Sequence, residues 1–183
     1  MPPFPVWMMK RSNFGAHFSV RSRKKERIFL IITFCGHAQI YSGREELHNK
    51  VMSAINEHAQ GEDIVFYLGG YGDFDWIALR CCREYKESHP AAKLLFISPY
   101  LDEVYFKNRE MYLKECDGIE YAGIEKTPKK YAILKRNEWM VKQSDFLIAY
   151  VNVSWGGAAK TLLYATKHKK PFFNIGTKIW DID

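Results

Sequence analysis

The stretch Ile64–Ala78 constrains this chain more than any other. Ile64–Gly69 is a short apolar run, the pattern of a strand buried on both faces. Gly69, Gly70 and Gly72 follow, then Asp73 and Asp75, and a helical pattern begins at once, with Phe74, Ile77, Ala78, Cys81 and Tyr85 along one stripe. The glycines let the backbone reach φ > 0 and let another molecule approach it closely. A helix opening beside them directs unsatisfied N–H groups at that point. The layout suits a phosphate or nucleotide site, and it equally suits a plain strand-to-helix connection.

The same alternation runs through the rest of the chain. Ile28–Phe34 is a continuous apolar, β-branched run that reads as a central parallel strand and ends in Cys35-Gly36-His37. Ser42 and Glu45 form a capping box for a helix with Leu47, Val51, Met52, Ile55 and Ala59 on its apolar face, closed by Gly61. Lys93–Ser98 reads as a third strand, Asp102–Cys116 as a helix, and Gly118–Gly123 as a loop or short strand. Thr127-Pro128 has the form of an N-cap and first-turn proline for a helix to about Gln143. Phe146–Val151 is the next strand, a helix follows Gly156-Gly157, and Phe172–Ile175 is the last strand. Strands that alternate with helices imply crossover connections. The expectation is a single α/β domain over residues 28–183, a Rossmann-like three-layer sandwich with a mostly parallel sheet of about five strands.

Residues 1–27 lack this periodicity. They hold seven basic residues and one acid, so the formal charge of +6 belongs to them and residues 28–183 are balanced. They read as a basic, disordered leader, with an arm for nucleic acid as the alternative. The balanced domain argues against nucleic acid as a partner, because grooves that track phosphates are basic. The four cysteines show no C-x-x-C spacing and fit a reducing, cytoplasmic setting. The longest apolar run is too short to span a bilayer, so no membrane association is expected. His48 and His58 lie too far round a helix to share a face, and no metal site or cofactor is expected. A homo-oligomer remains open.

In a parallel α/β sheet, ligands bind beyond the carboxyl ends of strands, where the strand order reverses. Three such ends carry small, flexible residues: Cys35-Gly36-His37, Gly69-Gly70-Tyr71-Gly72, and the loop ending in Gly156-Gly157. Two open directly into helices, so two helix N-termini would face one anion if they converge. Cys35 by itself reads as packing, and it points away from His37 along an extended chain. Ala158-Ala159-Lys160-Thr161 is similar to the end of a phosphate-binding loop, but Ala159 and Ser154 stand where that motif needs glycine. Lys160 and Thr161 read as phosphate contacts from the first helical turn, or Lys160 as a solvated lysine. Arg136, with Asn137 beside it, is either a bidentate anion clamp or a surface arginine, and periodicity alone favours the surface.

Together these residues resemble the SLOG superfamily, the Rossmann-like group that includes the lonely-guy phosphoribohydrolases and DNA-processing protein A. The resemblance covers about Ile28 to Ile175 and looks closest to the YpsA-like branch. Phe34-Cys35-Gly36 is similar to the first-strand end of the lonely-guy proteins. Gly69-Gly70 with Asp75 and Ala78 resembles the branch's Gly-Gly turn and Phe-Asp-x-x-Ala helix start, although Asp73 stands where a glycine is usual. Arg136-Asn137-Glu-Trp-Met140 is similar to the Arg-Asn-x-x-Met signature before the next strand. Gly156-Gly157, Tyr164-Ala165 and Lys170-Pro171 fit the last helix.

The resemblance implies a pocket that binds or senses a nucleotide or nucleotide-derived ligand at the carboxyl ends of the strands. It does not carry catalysis over. Lonely-guy enzymes pair the signature arginine with a glutamate in the turn after the second Gly-Gly, and Ala158–Leu163 contains no acid. Splitting an N-glycosidic bond needs a carboxylate. A hydrolase of nucleoside monophosphates or ADP-ribose-like compounds is therefore the alternative, with Arg136 and Asp75 as its catalytic pair. Single-stranded nucleic acid binding, as in DNA-processing protein A, is the further alternative.

Overall fold

The strands form where the apolar runs stand. A computed structural model of the protein describes residues 29–61 and 63–177, so the leader expected over residues 1–27 lies outside the described residues. The strands are β1 (Leu30–Gly36), β2 (Ile64–Leu68), β3 (Lys93–Ser98), β4 (Gly118–Tyr121), β5 (Phe146–Tyr150) and β6 (Phe172–Asn174). They make one six-stranded sheet in the order β4-β3-β2-β1-β5-β6, with every pairing parallel. The expected count of about five, mostly parallel strands is thereby revised to six, all parallel. The added strand is β4, which pairs with β3 alone at the sheet edge.

The helices are α1 (Arg44–His58), α2 (Asp73–Ser88), α3 (Glu103–Glu115), α4 (Ala132–Gln143) and α5 (Gly156–Lys167). Residues of α1, α2 and α3 share one core cluster with the sheet, built on Val51, Phe66, Phe74, Cys82, Phe96 and Tyr112. Residues of α4 and α5 pack on the other side, in clusters that include Val141, Ala159 and Leu162 and, beside them, Ile31, Ile97 and Met140. From β1 the chain steps outward through β2, β3 and β4, then returns to place β5 on the other side of β1. The strand order reverses between β1 and β5, which makes their carboxyl ends the crevice of the fold.

Two expected helix starts are corrected. No Ser42–Glu45 capping box forms: α1 is preceded by Gly43 in the left-handed region at φ 70, without a side-chain cap. Pro128 does not open α4, because Lys129–Tyr131 first make a 3-10 turn and the α-helix begins at Ala132. Asp102 does cap α3, accepting the Tyr105 N–H at 3.2 Å. Cys35, Cys81, Cys82 and Cys116 are buried, free thiols. No described helix is long and apolar enough to cross a membrane.

Candidate functional site

A parallel sheet with crossover helices puts every helix start at the carboxyl edge of the strands. The glycine turn after β2 lies there, and it is closed by the chain itself. The Asp75 carboxylate accepts the Tyr71 N–H at 2.8 Å. The first N–H groups of α2 are taken as well: Asp73 N donates to Ala38 O at 2.9 Å and Phe74 N to His37 O at 3.4 Å. Asp73 in turn accepts the Ile40 N–H at 2.8 Å and Arg44 Nη2 at 2.6 Å. The loop after β1 thus occupies the helix start where an anion was expected. Packing also fills the space beside the glycines. A Cβ at Gly70, which sits at φ +82, would stand 2.6 Å from the Phe96 ring, one at Gly72 would stand 2.8 Å from Ala38 Cα, and one at Gly36 would enter the Phe74 ring. Close-packed interiors leave no slack for such an atom.

Arg136 is not a surface residue, as periodicity suggested, but is 1% exposed. Its Nη1 donates to Ile97 O at 3.2 Å, its Nε has no hydrogen-bond partner, and its guanidinium carbon stands 5.2 Å from the centre of the Tyr71 ring. The signal was present in the sequence. Ala132, Arg136 and Met140 are spaced by four and are all buried, so the arginine belongs to the stripe that faces the sheet. Burial lowers the pKa of the Arg136 guanidinium, an effect opposed by the Asp75 charge. Burial raises the pKa of Asp75, an effect opposed by Arg136 and by the backbone N–H groups of the glycine turn. The two groups sustain each other's charge in a dry setting.

At the crevice, His37 Nε2 accepts the Asn152 N–H at 2.9 Å, and its ring stands edge-on to Tyr150 at 5.7 Å. Burial lowers the His37 pKa. An imidazole whose Nε2 accepts a hydrogen bond is neutral and carries its proton on Nδ1. Sequence reasoning missed the residue that holds the β5 side of this contact. Asn174 accepts the Val151 N–H at 3.0 Å and donates to Val151 O at 3.0 Å, which fixes the end of β5 to β6. Cys35 lies away from this crevice: its Sγ is 4.0 Å from Ala158 O under α5, and burial pushes its thiol far above the usual range.

The start of α5 is the open one. It has no side-chain cap, Gly156 sits at φ +89, and a Cβ on either Gly156 or Gly157 would meet nothing within 4 Å. Thr161 is buried, donates its hydroxyl to Gly157 O at 2.9 Å and accepts Asn137 Nδ2 at 3.5 Å, so both residues brace the turn. Lys160 is exposed beside it.

One feature of the edge was invisible before the topology was known. The exposed tyrosines and tryptophans among the described residues are Tyr41, Tyr71, Trp76, Tyr131 and Trp155. Tyr41, Tyr71, Tyr131 and Trp155 lie within three residues before a helix and Trp76 in the first turn of α2, so all five residues lie at the carboxyl edge of the sheet. Arg44, Lys130 and Lys160 are exposed at the same edge.

No protein-family model matches the chain. It is 27% identical over 154 residues to the uncharacterized SPbeta prophage-derived protein YoqJ of Bacillus subtilis (strain 168), covering 74% of this chain and 86% of that protein. Among solved structures, DNA processing protein A from Helicobacter pylori, described by its single-stranded DNA binding mode, superposes with a TM-score of 0.58 at 20% identity, covering 81% of this chain and 66% of that one. DNA processing protein A from Streptococcus pneumoniae gives 0.58 at 15% identity, covering 84% and 52%. The chain therefore spans less than two thirds of either solved chain, and the likeness establishes the Rossmann-like α/β fold. It also corrects the argument that a balanced charge speaks against nucleic acid, because the Helicobacter protein binds single-stranded DNA. Net charge averages the whole surface, whereas a strand is held by local charge and exposed rings.

Proposed function

We propose that the protein binds single-stranded nucleic acid along the carboxyl edge of its sheet. The observation that carries this reading is the gathering of Tyr41, Tyr71, Trp76, Tyr131 and Trp155 on that one edge. Exposed rings on a soluble domain cost hydration, and stacked bases would remove them from water. Each stacked base contributes about 1–3 kcal/mol with little dependence on sequence. Lys130 and Lys160 stand among the rings to meet phosphates, and the basic leader over residues 1–27 adds sequence-independent contacts. The shared fold with a single-stranded DNA binding protein supports the same reading. Within the SLOG superfamily, the Gly69-Gly70 turn and Phe74-Asp75-x-x-Ala78 helix start favour the YpsA-like branch, and the buried free thiols suit a cytoplasmic setting. Fluorescence anisotropy with labelled oligo(dT) tests the proposal. Binding is expected, weakened at least about fivefold by Trp155→Ala. No binding at low ionic strength would end this reading.

A second reading is favoured by the crevice between β1 and β5. A small nucleotide there would meet the neutral Nδ1–H of His37 and the uncapped start of α5, with Gly156, Gly157 and Lys160 at its phosphate. Asp75, with its carboxylate engaged by the glycine turn, supports binding rather than hydrolysis in this reading. Native mass spectrometry of the purified protein tests it, with a co-purified nucleotide as the expected result. Release of free base from AMP that disappears in Asp75→Asn would replace it by the hydrolase.

A further inference from the structure

We infer that Tyr71 is the principal base-stacking platform of the edge and that the buried Arg136 serves it from behind. The inference rests on the strand-binding reading and names how that site takes hold of a base. Tyr71 ends a column of rings that begins in the core. Tyr112 and Phe96 stack with centroids 3.7 Å apart and planes 10° apart, and Phe96 and Tyr71 follow at 6.4 Å and 23°. Tyr100 meets the Tyr71 ring edge-on at 6.2 Å. The Arg136 guanidinium carbon stands 5.2 Å from the ring centre, and Asp75 holds the Tyr71 backbone N–H at 2.8 Å. The ring is therefore held by Phe96, Tyr100 and Arg136, yet the residue is 37% exposed. A nucleobase packs against the part of the ring that stays exposed.

Two physical consequences set Tyr71 apart from the other exposed rings. A side chain already held in place loses little rotamer freedom on binding, so more of the stacking energy appears as affinity. A cation over an aromatic face acts most strongly where it is desolvated, and Arg136 is 1% exposed. The same burial separates Arg136 from any phosphate. Its unpartnered Nε lies inside the protein, and Tyr71 lies over the guanidinium. Arg136 is accordingly a positioning residue that acts through Tyr71. The ligand chemistry that follows is a base of any identity in an unpaired strand, since every base offers a π-face.

The test compares oligo(dT) with an abasic strand of the same length, bound to the full chain as wild type, Tyr71→Ala, Tyr71→Phe and Arg136→Met, across a salt titration. Tyr71→Ala should weaken oligo(dT) binding by about 5- to 100-fold while leaving the abasic strand within about twofold. Tyr71→Phe keeps the ring and should retain the wild-type ratio between the two strands. The slope of log affinity against log salt should be unchanged in Arg136→Met and Tyr71→Ala, because neither residue meets a phosphate. A wild-type ratio in Tyr71→Ala overturns the platform, as does a slope shallower by about 0.7 in Arg136→Met, the mark of a lost phosphate contact. Thermal melts of each variant separate lost binding from lost fold. If the wild type binds neither strand, the strand-binding reading falls and takes the platform with it. If it binds both and only the Tyr71 result fails, the platform alone falls.

Discussion

Arg136 and Asp75 reach the same point above Gly69 from opposite faces of the sheet. A Cβ built on Gly69 would stand 2.8 Å from Arg136 Nη1 and 2.7 Å from Asp75 Oδ2. Swinging either group aside would leave the other's charge buried without compensation. Gly69→Ala is therefore expected to cost about 1–3 kcal/mol, the usual penalty for an extra methyl group in a full interior. A urea titration reads this as a lower midpoint at constant slope. A wild-type midpoint would show that the pair relaxes without cost.

The pair itself can be weighed by a double-mutant cycle. Arg136→Met removes the cation and leaves the Asp75 carboxylate in a site where burial already disfavours its charge. Breaking one partner of a buried charge pair typically costs about 3–5 kcal/mol. Combining Arg136→Met with Asp75→Asn removes the stranded charge, so the double variant should be more stable than the sum of the single losses predicts, by about 1 kcal/mol or more. Strictly additive losses in chemical denaturation would mean that the two groups stabilise the fold separately.

His37 predicts a pH effect of definite sign. Burial holds its folded-state pKa below the ordinary 6.5, and Nε2 accepts the Asn152 N–H only while the ring is neutral. As the pH falls below 6.5, the unfolded chain takes the proton first. The contribution of His37 is thus complete above that value and is lost as the pH falls through the folded-state pKa. Glutamine at this position accepts the same N–H through its amide oxygen and does not titrate. Melting temperatures measured between about pH 5 and pH 8 should fall on the acid side for the wild type and fall less for His37→Gln. Parallel profiles for the two proteins would remove His37 from the acid response.

The alternation of buried strands and helices was legible in the sequence, because β2, β3 and β5 are short apolar runs that no other element type explains. β4 was not. Gly118-Ile-Glu-Tyr121 pairs on one side only and is half-buried rather than buried, so it lacks the run that marks a central strand. Ser42 and Glu45 had the spacing of a capping box, but the left-handed Gly43 starts α1 one residue later and leaves the serine outside. The strand ends were legible as a candidate site through their glycines. Which ends stay open was not, because that depends on Ala38 and His37 meeting the start of α2, residues far away in the chain. The aromatic edge was hidden for the same reason. Tyr41, Trp76 and Trp155 share no periodicity, and only the parallel topology brings their helix starts to one side.

The start of α5 separates stability from binding at a single atom. Gly157 lies in the first turn of the helix, and a Cβ there would meet nothing within 4 Å. Alanine in a helix is favoured over glycine by roughly 1 kcal/mol, largely because the unfolded chain loses freedom. Gly157→Ala should accordingly raise the melting temperature by a few degrees. If the uncapped N–H groups of α5 receive the phosphate of a small nucleotide, the new methyl group stands in the space through which that phosphate approaches. Affinity for AMP, read by isothermal titration, should then fall by about fivefold, the worth of roughly one weakened hydrogen bond. A more stable protein that binds its nucleotide less well is the expected pair of results. A raised melting temperature with unchanged AMP affinity would move the phosphate away from α5 and leave the two glycines as a connection alone.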